Sequence, residues 1–235
     1  MINIENYTVL RNPAYQETKR HTDTMFAFNI YPCTIPADFA FVPIHWHNSM
    51  EIIYVKRGTG IVRIDFETYT ARSGDIFFVP PGHWHGLKNY QKKRMEYENI
   101  IFDMSFLGSD KVDLCSQKYL QPILNGKMLF PPCIRRGEEL YSSAAACLDA
   151  ADRLCSMHCA GYELGVKGHL MVLFSIMIQR MPKQAEPPAD DKNIQKLKTV
   201  LLRIEQDYDK KLTVAAMADE CGYSASHFMR WFREA

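Results

Sequence analysis

From Met25 to about Asp103, apolar residues come in short runs: Phe26-Ala-Phe28-Asn-Ile30, Glu51-Ile-Ile-Tyr-Val55, Gly60-Ile-Val-Arg-Ile64, Asp75-Ile-Phe-Phe-Val79 and Glu98-Asn-Ile-Ile-Phe102. Branched and aromatic residues dominate them, and Arg57-Gly58, Ser73-Gly74 and Pro80-Pro81-Gly82 interrupt them, which predicts short strands joined by turns. Closely spaced strands without a helical pattern between them predict an antiparallel sandwich or barrel over roughly residues 20–110. After Leu114 the period lengthens. Residues 138–159 and 162–181 predict two helices, with Gly161 as the cap that parts them. The second is apolar nearly all round (Leu164, Leu170, Val172, Leu173, Phe174, Ile176, Met177, Ile178), so burial is expected both on the barrel and against a second copy of the chain. Residues 181–191 carry three prolines and mixed charge, the composition of an exposed linker. Residues 193–235 read as helices 193–207, 213–221 and 225–234. The expected division is a barrel over 1–115, a helical segment over 116–181, a linker over 182–192 and a small helical domain over 193–235.

Length and composition narrow the class. The chain has 235 residues and 47% hydrophobic content, enough for a middle-sized core plus a small domain, and bulk disorder is excluded. Lys and Arg number 28 against 27 acids, which excludes a histone-like binder but not a reader of a short DNA sequence. Met1–Leu10 lacks the apolar core of a signal peptide, and Leu170–Ile178 is too short to span a bilayer. Seven cysteines without a CxxC pair read as reduced thiols. A cytoplasmic protein without membrane contact is therefore expected.

Two stretches carry chemistry: His45-Trp-His47-Asn-Ser-Met-Glu51 with Gly58, and Gly74-Asp-Ile-Phe-Phe-Val-Pro80-Pro-Gly82-His-Trp-His85-Gly-Leu-Lys-Asn89. His45 and His47 are two apart on an extended chain, so their rings leave one face. Asn48-Ser49 can turn the chain and return Glu51 to the same interior, and Pro80-Pro81-Gly82 can bring back His85. Three neutral imidazoles and a carboxylate suit a divalent transition ion, Zn, Ni, Fe or Mn. The spacing resembles the two motifs of the cupin superfamily; the glycine expected six residues before His45 is replaced by Phe39. The resemblance implies a cupin β-barrel with His45, His47, Glu51 and His85 as metal ligands or as an effector pocket. Many such barrels keep the histidines only for packing or hydrogen bonding. His83, out of phase with His85, is expected at the surface, and Trp46 and Trp84 as rim packing. Phase does not place Tyr54, Arg63 or Phe77. Cys155, His158 and Cys159 are expected on one helical face as buried thiols near a helix end.

The tail has its own geometry. Thr213 can cap a helix with Leu212 and Met217 as staple, Gly222 can end it, and Ser224 can cap the next with Tyr223 and Phe228 as staple. Ala218 is small where two helices must touch. These are the features of a helix-turn-helix, whose second helix enters the major groove. Residues 193–235 hold seven Lys/Arg against six acids, so pattern rather than charge supports DNA. A cupin barrel, a greasy helical pair, a proline linker and this tail together resemble the AraC family of bacterial transcription regulators. The resemblance implies a small-molecule effector in the barrel, a sugar among the candidates, a homodimer through the helices, and promoter DNA as partner. In Gly222-Tyr-Ser-Ala-Ser-His-Phe-Met-Arg-Trp-Phe-Arg233 it implies Ser226, His227, Arg230 and Arg233 as contacts to DNA. The family's DNA-binding domain has two such units and this chain reaches Ala235 at the end of the first; a longer parent is expected, with weak or no DNA binding by this chain alone. The competing reading is a metal-dependent cupin enzyme (dioxygenase, decarboxylase or isomerase), which would have no use for a groove-reading helix.

Overall fold

The computed structural model describes residues 16, 17, 19, 21–108, 113–124, 128, 130–179, 196, 199, 200, 203, 204, 207 and 212–234. They fall into two compact units, one up to residue 179 and one from 196 onward. The expected linker and most of helix 193–207 lie outside the described residues.

The first unit is an antiparallel β-structure followed by helices. Its strands are β1 (Phe28–Ile35), β2 (Phe41–His45), β3 (Met50–Ile64), β4 (Glu67–Arg72), β5 (Ile76–Val79), β6 (His85–Asn89), β7 (Met95–Phe102) and β8 (Cys133–Ile134). One sheet runs β1-β7-β3-β5-β8, while β4 and β6 pair with the far half of β3, and β2 with β6. The runs at 51–55 and 60–64 are thus one strand, not two. Gly58 makes this possible: its φ of 82° lies in the left-handed region, and a Cβ there would meet the Arg94 carbonyl oxygen at 1.9 Å. The register with β7 shifts between Val55 and Arg57, so the strand bulges and passes from one sheet to the other instead of ending.

The first sheet is covered on both faces, which is why its strands read as nearly continuous apolar runs. Ile53, Val55, Phe77, Val79 and Tyr97 fill the barrel interior. Met50, Ile52, Tyr54, Ile76, Phe78, Ile100 and Phe102 face outward onto helices α2 (Tyr141–Met157) and α3 (Tyr162–Gln179), which follow a short α1 (Gln121–Leu124). Tyr54 therefore packs under the helices, Phe77 is barrel core, and Arg63 is exposed. Helix α3 buries Val166, Leu170, Leu173, Phe174 and Met177 but leaves Leu164 and Val172 exposed. Helix α2 ends at Met157 because His158 takes a left-handed φ of 47°; Cys155, His158 and Cys159 therefore share no helical face, and Cys159 is exposed rather than buried.

In the second unit, α4 (Val214–Glu220) and α5 (Ala225–Glu234) meet around Met217, Ala218, Cys221 and Phe228, with Leu212, Tyr223, Trp231 and Phe232 packed against them. Thr213 caps α4 by accepting from the Ala216 amide at 3.2 Å, Gly222 takes φ 66°, and Ser224 Oγ accepts from His227 N at 3.3 Å. Among the described residues no helix is long and apolar enough to cross a membrane.

Candidate functional site

The two motif stretches close on each other because β2 and β6 pair with His45 opposite His85, while Glu51 rises from the facing sheet as the second residue of β3. His47 sits in the link between β2 and β3. The four side chains offer ligand atoms that all lie within 4.8 Å of one another. Ring centroids are 4.2 Å apart for His45 and His85 and 5.0 Å for His47 and His85. Glu51 is 1% exposed, His85 0% and His47 6%.

The outer ring nitrogens decide what this cluster can hold. His45 Nδ1 lies 2.9 Å from the Pro43 carbonyl oxygen, His47 Nδ1 3.1 Å from that of Ser49 and His85 Nδ1 3.0 Å from that of His83. A carbonyl oxygen only accepts, so each Nδ1 carries a hydrogen and each neutral ring turns the lone pair of Nε2 inward. Glu51 Oε2 sits among those lone pairs, 2.8 Å from His47 Nε2 and 3.1 Å from His85 Nε2. Lone pairs and a carboxylate converging in a dry pocket repel one another unless positive charge stands between them, as protons on Nε2 or as a metal cation. Burial alone would push the Glu51 carboxyl up, but the charge of His85 and the hydrogen bonds from His47 and His85 hold it well below the usual carboxylate range. The donor set, three imidazoles and one carboxylate with each outer nitrogen engaged, fits a divalent transition ion.

Residues outside the two motifs complete the mouth. Gln16 bridges to Trp46, and Glu17 N donates to the Trp46 carbonyl at 3.0 Å, which lays residues 16 and 17 beside Trp46, just past the end of β2. Glu17 Oε2 is 3.0 Å from His21 Nε2 and 3.4 Å from His45 Nε2. Burial raises the Glu17 carboxyl, yet His45 and His21 together bring it down to about 2. The His45 ring, which burial would lower, is raised by Glu17, by Pro43 and by Glu51. The i,i+4 spacing of Glu17 and His21 was the available signal, but nothing local tied it to His45. His83 is not at the surface: its ring is half-buried and lies 2.5 Å from Asp65 Oδ2, because the turn after β3 reaches across to it. Trp84 is buried beside it and Trp46 is half-buried.

On α5, Ser226, His227, Arg230 and Arg233 are all exposed. Ser226, Arg230 and Arg233 stand opposite Phe228 on the helix. His227 is turned aside onto Tyr223, at a centroid distance of 4.3 Å, and Lys196 covers the Tyr223 ring at 3.7 Å.

Comparison with known proteins agrees with this architecture. The family described as AraC-like ligand binding domain matches residues 33–174, and the family of bacterial regulatory helix-turn-helix proteins, AraC family, matches residues 204–235. The chain belongs to the AraC family, and it is a ligand-responsive, DNA-binding transcription regulator. An uncharacterised HTH-type transcriptional regulator of Bacillus subtilis (strain 168), YdeC, is 20% identical over 234 residues, covering 98% of this chain and 78% of that protein. Among solved structures, a cupin protein from Bacteroides fragilis is 22% identical with a TM-score of 0.31, covering 37% of this chain and 72% of its own. A predicted oxalate decarboxylase from Thermotoga maritima is 23% identical with a TM-score of 0.29, covering 31% of this chain and 64% of its own. The family matches do not favour the enzyme alternative.

Proposed function

We propose that the barrel senses its effector at a divalent transition ion held by His45, His47, Glu51 and His85. The observation that supports this is the common orientation of the three rings, each Nδ1 on a backbone carbonyl, with His47 and His85 Nε2 on the Glu51 carboxylate and all four ligand atoms within 4.8 Å of one another. The ion would supply Lewis acidity and open positions for an effector's oxygen or nitrogen donors. An effector with adjacent oxygen donors, as in a sugar, suits such a centre. Regulation needs binding and no turnover, so no enzymatic step is assigned. Residues Ser226, His227, Arg230 and Arg233 contact promoter DNA, a homodimer forms through the α2–α3 pair, and the regulator works in the cytoplasm.

Metal analysis of the purified chain after exposure to Zn, Ni, Fe(II) and Mn tests the centre. About one ion per chain is expected in the wild type and less than roughly a tenth of that in His47→Ala or His85→Ala, since each removes a quarter of the donor set. A folded wild type that takes up none of the four metals would leave the imidazoles as hydrogen-bonding groups and withdraw the ion.

A further inference from the structure

We propose that Asp65 is the positioning residue of the imidazole cluster: it fixes the 83–84 peptide so that the His83 carbonyl holds His85 with Nε2 facing the ion. The part concerning the ion rests on the metal reading above; the part concerning the tautomer does not. The β3–β6 ladder runs from Gly60 opposite Asn89 to Ile64 opposite His85 and stops there, because the chain turns into β4 at Asp65. Beyond that last rung, the peptide bearing the His83 carbonyl would have no strand beside it. Asp65 continues the ladder from the turn. Its amide donates to the Trp84 carbonyl at 2.7 Å, and its Oδ1 accepts from the Trp84 amide at 2.9 Å, where a strand would have used a backbone carbonyl. Its Oδ2 meets His83 Nδ1 at 2.5 Å.

The turn is shaped for this purpose. Asp65 has φ 51°, a left-handed conformation that Asp, Asn and Gly tolerate better than other residues. Its own carbonyl, turned away from the ladder, accepts from Arg63 Nε at 3.1 Å. On the other side the loop is tethered by Gly82 N donating to the His47 carbonyl at 2.7 Å, so the peptide before His85 is held from both directions. With the 83–84 peptide fixed, the His83 carbonyl stays 3.0 Å from His85 Nδ1, and His85 Nε2 stays in the cluster.

The test compares wild type with Asp65→Gly, Asp65→Asn and Glu67→Gln. Glycine adopts the same φ without strain and deletes only the carboxylate, while asparagine keeps an acceptor for the Trp84 amide. Long-range proton–nitrogen NMR of the metal-free protein at about pH 8, above the ordinary histidine range, reads the His85 tautomer directly. Wild type, Asp65→Asn and Glu67→Gln should each keep a hydrogen on His85 Nδ1, in the neutral or the doubly protonated ring, and Asp65→Gly should add rings protonated on Nε2 alone. Zn affinity, measured by competition with a chromophoric chelator, should fall about 10- to 100-fold in Asp65→Gly, as for lost outer-shell partners elsewhere, and stay within about threefold in Asp65→Asn. The visible spectrum of the Co-loaded protein should change with the glycine variant and not with the asparagine. If Asp65→Gly does not fold, His83→Ala replaces it, since it leaves both Trp84 bonds in place and should shift tautomer and affinity in the same direction by less. No loss of the Nδ1 hydrogen in Asp65→Gly or its stand-in His83→Ala, or unchanged Zn affinity in that variant when the wild type binds Zn, overturns the proposal. A wild type that binds no metal defeats the metal reading alone, and the tautomer measurement then decides the role of Asp65.

Discussion

At the scale of single residues, the barrel mouth is governed by charge placed where water is scarce. Glu17 is drawn down to about 2 from an ordinary 4.5 by His45 and His21, so its stabilising effect is complete above about pH 4.5 and disappears as the pH falls toward 2. His45 is raised by the same contact, so its share is complete below about pH 6.5, its ordinary value, and is lost as the pH rises through its folded value. The two signs combine into a window between about 4.5 and 6.5 in which Glu17 is held most firmly beside His45. With a quarter of the Glu17 side chain still in solvent, the contact contributes about 1–2 kcal/mol after screening. Hydrogen exchange at the Glu17 amide, which donates to the Trp46 carbonyl, should be slowest inside that window and faster on either side. Glu17→Gln should flatten the profile; an unaltered profile in that variant would remove the ion pair from the account.

Single elements are decided by how many of their faces are covered. Helix α3 reads as greasy nearly all round, but the barrel and α2 cover only part of it. Leu173 is fully buried and belongs to the fold, whereas Leu164 is 77% and Val172 51% exposed. Leu164, Gly168 and Val172 follow one another at four-residue steps, so they line one stripe. If that stripe is the homodimer seam, Leu164→Glu and Val172→Glu should convert the dimer to monomer in light scattering while changing stability by less than about 0.5 kcal/mol. Leu173→Ala should instead cost about 2–5 kcal/mol, because it opens a cavity in the core. A wild-type monomer, or a dimer indifferent to both Glu variants, would place the seam elsewhere.

For the whole molecule the consequence is a regulator whose effector and DNA sites are built on separate units. Arg230 and Arg233 are solvent-exposed on α5, so replacing either with Ala should leave the melting temperature essentially unchanged. In titrations with promoter DNA at low salt and at protein concentrations high enough to reach measurable binding, each replacement should weaken binding by about 1–3 kcal/mol if it removes a bidentate base contact. If a side chain touches phosphate only, its loss should weaken all sequences alike and reduce the salt slope by about one. Unchanged affinity and slope for both would move the reading surface off α5. Much of this molecule was legible in one dimension because its signals are local. Short runs of branched and aromatic residues between turns mark strands, Thr213, Gly222 and Ser224 mark helix ends by their own backbone chemistry, and the two spaced motifs mark the cluster of His45, His47, Glu51 and His85. What stayed illegible depends on which surfaces meet. Gly58 looks like a break until Arg94 is brought against it and makes it a bulge. Tyr54 and Phe77 differ in role only because one faces the helices and the other the interior. His83 looks like a surface residue until the turn at Asp65 reaches it, and Glu17 is an ordinary acid until residues 16 and 17 lie beside Trp46 and bring it to His45. By itself the sequence determined most of the strand-forming runs, the helix ends around Thr213, Gly222 and Ser224, and the four residues of the donor set, each signalled by motifs a few residues long. The tertiary structure alone decided the partners of Asp65, His83 and Glu17, because pairing distant segments is a property of the assembled sheets and not of any one stretch of chain.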